Sequence, residues 1–212
     1  VPCQPITGTY RSSDPLYAQI TVISKVNGGC KADANNAGIN MAKNDLVMVI
    51  DADTVLHPKA LIKLVKPFIE DEEDTLIAAG AAIGTTNACT FHMDRMTSAR
   101  VPSAFLPGIQ TLEYLRAFVI SRMGFSRAHG LMLISGAFGL FEKEILIAAG
   151  GYDLKAIGED LELVISMRRY MYDHGLPHKV EYIPEALSWT EVPFTLRSFI
   201  SQRIRWGRAL AY

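Results

Sequence analysis

The chain has 212 residues, 49% of them hydrophobic and 20% charged, with 16 glycines and 10 prolines. That profile excludes a disordered or collagen-like chain, and the length suits a single domain with one sizeable core. Lys and Arg number 21 against 22 Asp and Glu, a net charge of −1, so no overall field draws the chain onto nucleic acid and charged ligands must be met locally.

Three cysteines, Cys3, Cys30 and Cys89, stand far apart with neither C-x-x-C nor zinc-ligand spacing, which reads as a reduced, cytosolic chain. The longest apolar runs, around Leu131–Phe141 and Ile77–Ile83, are broken by Gly and Ser. They fall short of the roughly 18 residues a membrane span needs, and no span or signal peptide is expected. An opening on Val1-Pro2 and a stop shortly after Trp206 predict an excised piece of something longer.

Gln19–Ser24 and Leu46–Ile50 are short, β-branched apolar runs that predict strands, and Lys31–Lys43 between them has helical composition, giving a β-α-β unit. A helix is predicted from Pro58, suited to a first turn, to Ile69, and a strand over Thr75–Ile83. The acidic run Glu70–Asp74 between them reads as a solvated loop, because adjacent carboxylates repel and nothing nearby gathers them round one cation. Gly84–Pro107 is irregular and long for an internal connection, which predicts a functional or mobile loop. A helix over Gln110–Met123 follows, then strand-like Leu131–Phe141 and a short helix, Lys143–Ala149, ended by Gly150-Gly151. The rest reads as a helix over Glu159–Asp173, a strand over Lys179–Ile183 and an amphipathic helix over Thr195–Leu210. Strands alternating with helices predict a largely parallel sheet covered on both faces, with ligands at the carboxyl ends of its strands, so the residues after Ile50 are the first place to look.

Those residues are Asp51-Ala52-Asp53, two carboxylates two positions apart at the end of a buried strand. The spacing suits a hard Mg²⁺ or Mn²⁺ ion shared with a diphosphate; the ordinary alternative is that Asp51 caps a turn and Asp53 faces solvent. Glu159 and Asp160 stand at a helix start, where an acid is often only a cap, although a carboxylate there can also take a proton from a hydroxyl. In Gln202-Arg203-Ile204-Arg205-Trp206 the guanidinium groups can fork onto diphosphate oxygens and the indole can stack on a sugar. The same helix, with Arg197 and Arg208 and no acid after Glu191, also reads as a basic amphipathic helix lying on a membrane.

Taken in order, residues 27–40 (NGGCKADANNAGIN), 49–54 (VIDADT), 135–141 (SGAFGLF), 150–153 (GGYD), 158–160 (GED), 190–193 (TEVP) and 202–206 (QRIRW) closely resemble the processive family 2 glycosyltransferases. These are membrane polysaccharide synthases of the cellulose, hyaluronan and poly-N-acetylglucosamine type. The resemblance spans about residue 19 to the C-terminus. It implies a single α/β domain with a GT-A-like (Rossmann-like), mostly parallel sheet flanked by helices, a fragment lacking the first part of that fold, on the cytosolic face of the membrane. It also implies a nucleotide-diphosphate sugar donor, usually UDP-linked, a polysaccharide acceptor, a divalent metal and inversion of the anomeric centre. Carried over residue by residue, Asp51 and Asp53 match the D-x-D that holds nucleotide and metal, and Lys31 the lysine near the nucleotide. Asp160, with Glu159 beside it, matches the general base. Gln202, Arg205 and Trp206 match the Q-x-x-R-W motif that contacts diphosphate and acceptor, and Ser135-Gly136 falls where the acceptor-end pocket is lined. Cys30 departs from the family's N-x-G-K-A pattern. Two other readings compete: a transferase adding one sugar to a lipid or protein, and an inactive nucleotide-sugar-binding module. The final helix is expected to bind anionic membranes.

Overall fold

A computed structural model describes residues 1–92 and 95–211. In chain order the elements are β1 (Ile6–Arg11), β2 (Thr21–Lys25), α1 (Lys31–Met41), β3 (Leu46–Ile50), β4 (Val55–Leu56), α2 (Ala60–Ile69) and β5 (Leu76–Thr85). There follow β6 (Thr90–His92), β7 (Arg95–Ser98), α3 (Phe105–Tyr114), a π-helical stretch over Leu115–Ser121, α4 (Arg122–Arg127) and β8 (Phe138–Glu142). The chain continues through α5 (Lys143–Ala148), α6 (Glu159–Asp173), β9 (Lys179–Thr190) and α7 (Leu196–Ala211).

Five strands form the central sheet in the order β3-β8-β5-β9-β4. Its middle strand, β5, is an almost wholly buried run of Ala, Gly and Ile, as a strand covered on both faces should be. On one face, α1, α5 and α6 contribute Ile39, Leu146, Leu163 and Met167 to the larger core; on the other, α2 places Ala60 and Leu64 over Ala79, Ala81, Phe138 and Leu140. The α/β layering is as the sequence predicts, but the sheet is mixed. β3, β5 and β9 run one way and β8 and β4 the other, so among adjacent pairs only β5 with β9 is parallel. The strand-like run around residue 140 folds back between β3 and β5 instead of being added through a crossover, and composition does not encode that choice.

The β-α-β expectation also changes. β2 pairs antiparallel with β1 in a separate two-stranded ribbon, while β3 joins the main sheet. Val22 of β2 is 57% exposed and Ile23 only half-buried, so the strand lacks the cover on both faces that a central strand requires. The ribbon is tied down by an ion pair between Lys25 and the buried Asp33 of α1. Strand β8 covers only the second half of Leu131–Phe141, and β9 extends seven residues beyond Ile183 to Thr190. Residues 84–107 hold the β6–β7 ribbon; Met93 and Asp94, within that predicted loop, and Tyr212, the last residue of the chain, lie outside the described residues. The acidic run 70–74 is not simply solvated. Asp71 is almost buried, bonded to Lys179 at 2.5 Å and accepting from the amides of Thr75 and Leu76 at 2.6 Å each, and so it pins the entry to β5.

Ile134 lies over Gly80 and Gly139, which face each other across β5 and β8. A Cβ on either glycine would stand 2.9 Å or less from its side chain, so the missing side chains are what let the loop before β8 settle on the sheet. That loop carries Ser135 and Gly136.

Candidate active site

Ile50 and Phe138 are register partners, so the end of β3 and the start of β8 lie side by side. Asp51 follows directly. Its amide donates to the Ala137 carbonyl at 3.2 Å and its carbonyl accepts from Thr54 at 3.1 Å, a turn that carries Asp53 over the strand tip into solvent.

Lys31 is the first residue of α1. The segment before it requires Gly29, whose φ of +75° is a left-handed conformation. Cys30 occupies the N-cap in extended conformation with no side-chain cap bond, so its departure from the resembled pattern places an exposed thiol beside the site without a bond into it. The Lys31 ammonium donates to the Gly136 carbonyl at 2.7 Å and pairs with the Asp51 carboxylate. From the other side, Asp160, second residue of α6, accepts from the Gly136 amide at 3.1 Å through Oδ2 and from its neighbour Leu161 at 3.0 Å through Oδ1. Gly136 therefore joins the two halves, its carbonyl to the cation and its amide to the carboxylate. A Cβ at this position would lie 3.1 Å from Lys31 Nζ and 3.4 Å from the Asp160 Cβ. Lys31 and Asp51 keep about a third of their side-chain surface open, so the cluster faces solvent from its outer side.

Each carboxylate oxygen of Asp160 retains a lone pair after these amide bonds, so it can still accept a hydroxyl proton. Glu159 stands half-buried at the head of the same helix. Ser135 closes the turn before Gly136, its carbonyl accepting from Phe138 at 3.1 Å and its hydroxyl from Ala137 at 3.4 Å. Beneath the cluster lies the fully buried Tyr152, whose backbone is fixed on both sides by Asn36 of α1 at 2.9 Å. Burial, then the carboxylates of Asp160, Glu159 and Asp51, hold its phenol protonated far above the ordinary range. Burial likewise raises Tyr114 and lowers Arg122, whose guanidinium lies 4.2 Å from the Phe118 ring centroid.

The described residues include no group of three or more His, Cys, Asp or Glu side chains able to hold a metal alone. Asp51 is engaged by Lys31, and Asp53 is an exposed oxygen donor beside it. This donor set fits a hard cation that takes one or two protein oxygens and completes its shell with phosphate and water.

The predicted residues of α7 do not all reach this cluster. Trp206 turns inward against the larger core, whereas Arg205 turns outward into a separate groove of about 540 Å³ with Arg197, Arg208, Ile157, Ile200 and Ile204. Gln202 accepts from Arg203 at 3.3 Å. The helix approaches the cluster at its far end, where Ala209 lies against Gly158, the residue before Glu159. Asn36 and Glu113 are not singled out by the sequence, and Arg203, read there with Arg205 as a group that can fork onto diphosphate oxygens, pairs with Glu113 instead. A buried Asn within a helix is the available signal for the first; a partnership across 90 residues leaves none for the Glu113–Arg203 pair.

The glycosyltransferase-like family 2 profile matches residues 13–209. A poly-beta-1,6-N-acetyl-D-glucosamine synthase of Staphylococcus epidermidis is 32% identical over 184 residues, 87% of this chain and 39% of that protein. Its Staphylococcus aureus counterpart is 30% identical over 178 residues, 84% and 38% respectively. The chain thus spans about two fifths of the length of the curated relatives it matches. Among solved structures, the mannosyltransferase PcManGT from Pyrobaculum calidifontis, in complex with GDP-Man and Mn²⁺, shares the fold with a TM-score of 0.59 at 18% identity, over 88% of this chain and 43% of that one.

Proposed function

The chain belongs to the glycosyltransferase-like family 2, with a GT-A-like α/β fold, and from that premise we propose that it is the catalytic region of an inverting polysaccharide synthase. The donor in this reading is a UDP-linked sugar, N-acetylglucosamine first among candidates because the similar staphylococcal proteins are named for it. The observation that carries the reading is the bridge at Gly136, which sets a cation and a free-faced carboxylate on either side of one residue.

In the reaction, Asp160 takes the proton of the acceptor hydroxyl as that oxygen attacks the anomeric carbon and the bond to the diphosphate oxygen breaks, giving inversion in one displacement. Lys31, held by the Gly136 carbonyl and Asp51, places positive charge at the nucleotide side, where negative charge grows on the leaving group. A Mg²⁺ or Mn²⁺ ion on Asp53, with Asp51 behind it, would add Lewis-acid neutralisation of that charge. Trp206 and Gln202 contact the acceptor sugar, and Arg205 reaches the diphosphate by a movement of α7 from its outward position. Arg197, Arg208 and the isoleucines of the α7 groove rest on the cytosolic face of a membrane, where the resemblance sets the synthase.

A donor screen decides this reading. The chain, or a longer form carrying it, is supplied with several UDP-sugars, Mg²⁺ or Mn²⁺ and an oligosaccharide acceptor. UDP-N-acetylglucosamine is expected to give products several sugars longer than the acceptor. A product one sugar longer would replace polymerisation by single transfer, and nucleotide binding without any product would favour an inactive binding module.

A further inference from the structure

No residue of α7 is fully buried, yet Trp206 within it is seated against the larger core. Burial alone therefore does not fix the rotation of this helix about its axis, and rotation decides whether Trp206 or Arg205 faces the site. The fixing contacts converge on Arg203. Phe199, Arg203 and Trp206 stand at i, i+4 and i+7, one face of the helix. The guanidinium lies between the two rings, 4.7 Å from the Phe199 centroid and 4.3 Å from that of Trp206. Its Nη2 pairs with the Glu113 carboxylate of α3, its Nη1 donates to Gln202, and its Nε is buried with no hydrogen-bond partner among the described residues.

The partner helix is well placed to act as a reference. One turn before Glu113, the fully buried Gln110 donates to the Pro193 carbonyl at 2.8 Å and to Leu106 at 3.1 Å. Helix α3 thus grips the chain twice, at the approach to α7 through Pro193 and at its middle through Arg203. Directly after Glu113 and Tyr114 the helix widens into its π-helical stretch, a form that departs from ordinary helical geometry and is frequent at functional sites.

We propose that Arg203, clasped by Glu113, is a positioning residue that sets the seat of Trp206 and Gln202 at the acceptor end of the site. The functional half of this statement rests on the reading above, in which those two side chains touch the acceptor; the structural half stands without it. Lysine is not an equivalent at position 203, because a compact ammonium can neither stack flat between two rings nor fork toward a carboxylate and an amide together.

The chain has two tryptophans, so labelling with 5-fluorotryptophan gives two fluorine resonances, with Trp189 in β9 as an internal control. Arg203→Lys is expected to displace the Trp206 resonance while that of Trp189 stays in place, and Glu113→Gln to do the same. A Trp206 resonance at its wild-type position in either folded variant overturns the proposal, as does an equal displacement of both resonances, which reports general loosening. If Glu113→Gln fails to fold, Arg203→Lys alone decides. Kinetics then separate this proposal from the reading beneath it. With transfer measurable, both variants should raise the acceptor KM several-fold with a smaller change in kcat and an unchanged donor KM. A displaced Trp206 with unchanged acceptor KM retains the clasp and removes Trp206 from the acceptor site.

Discussion

The strand-tip cluster and the final helix are held in opposite ways. Lys31, Asp51, Gly136 and Asp160 sit above a filled core, and main-chain groups supply most of the joints: the Gly136 amide and carbonyl, the Leu161 amide and the Asp51 amide. Helix α7 carries no fully buried residue, and its inward contacts are made by side chains, chiefly Arg203, Trp206 and Ala209. A site built on backbone joints has one geometry; a helix held by side chains can be displaced at modest cost. In the function proposed above, proton transfer and leaving-group charge fall to the first region and contact with the acceptor to the second.

Substitutions can break the contrast from either side. The largest effect short of removing the base is expected at Lys31. Lys31→Met takes away the donor to Gly136 and leaves Asp51 unpaired, so transfer should fall by about 10²–10³-fold, with nucleotide binding falling alongside as measured by calorimetry. Normal binding in that variant would detach Lys31 from the nucleotide. Gly136→Val comes next. The added carbons must push either Lys31 or Asp160 aside, and a displacement of about 1 Å is enough to cost about 10²-fold in rate. Initial rates near wild type would show that the bridge is incidental.

Two smaller effects sharpen the comparison. Asp71 is subject to burial, which favours its neutral form, but its bonds to Lys179 and the amides of Leu76 and Thr75 outweigh this and hold the carboxyl below 3.8; Lys25 first, then the Gln4 amide, do the same for Asp33. A depressed folded value means stability that is complete above the ordinary carboxylate range and is lost as pH falls through the depressed value. Acid unfolding followed by circular dichroism should therefore give a stability gap between the wild-type chain and Asp71→Asn that is constant near neutrality and closes below about pH 4. A gap that persists in stronger acid would mean that the Asp71 bonds do not depend on its charge. The smallest effect is at α7, where replacing Arg197 and Arg208 together by Ala should reduce flotation with anionic liposomes at low salt and change little at high salt. Binding indifferent to both salt and substitution would remove the membrane from the account of this helix.

How much of this was legible in the sequence follows the same division. The strand before Asp51 is legible as a short β-branched apolar run, α1 as helical composition and α5 by its Gly150-Gly151 stop, and α6 begins and ends where the sequence predicts, at Glu159 and Asp173. Four site residues that stand far apart in sequence, Lys31, Asp51, Gly136 and Asp160, come together because α1, β8 and α6 begin where β3 ends. Local pattern did not carry strand direction. The insertion of β8 between β3 and β5 depends on contacts between residues from about 60 to about 95 positions apart, and the exclusion of β2 from the main sheet on its pairing in a short, largely exposed ribbon. Nor did it distinguish Arg203 from Arg205. They stand two positions apart, on opposite faces of the helix, and the location of Glu113 shows which face turns inward.

In the proposed function Asp160 is the base, and the nucleotide is held without it. Asp160→Asn tests both statements in one preparation, with UDP binding measured by calorimetry and transfer by product formation. UDP should bind within about twofold of the wild-type affinity while transfer falls by about 10²–10⁴-fold, the loss that removal of a general base brings. Transfer above about a tenth of the wild-type rate, with binding intact, would contradict the assignment and move the proton to another group.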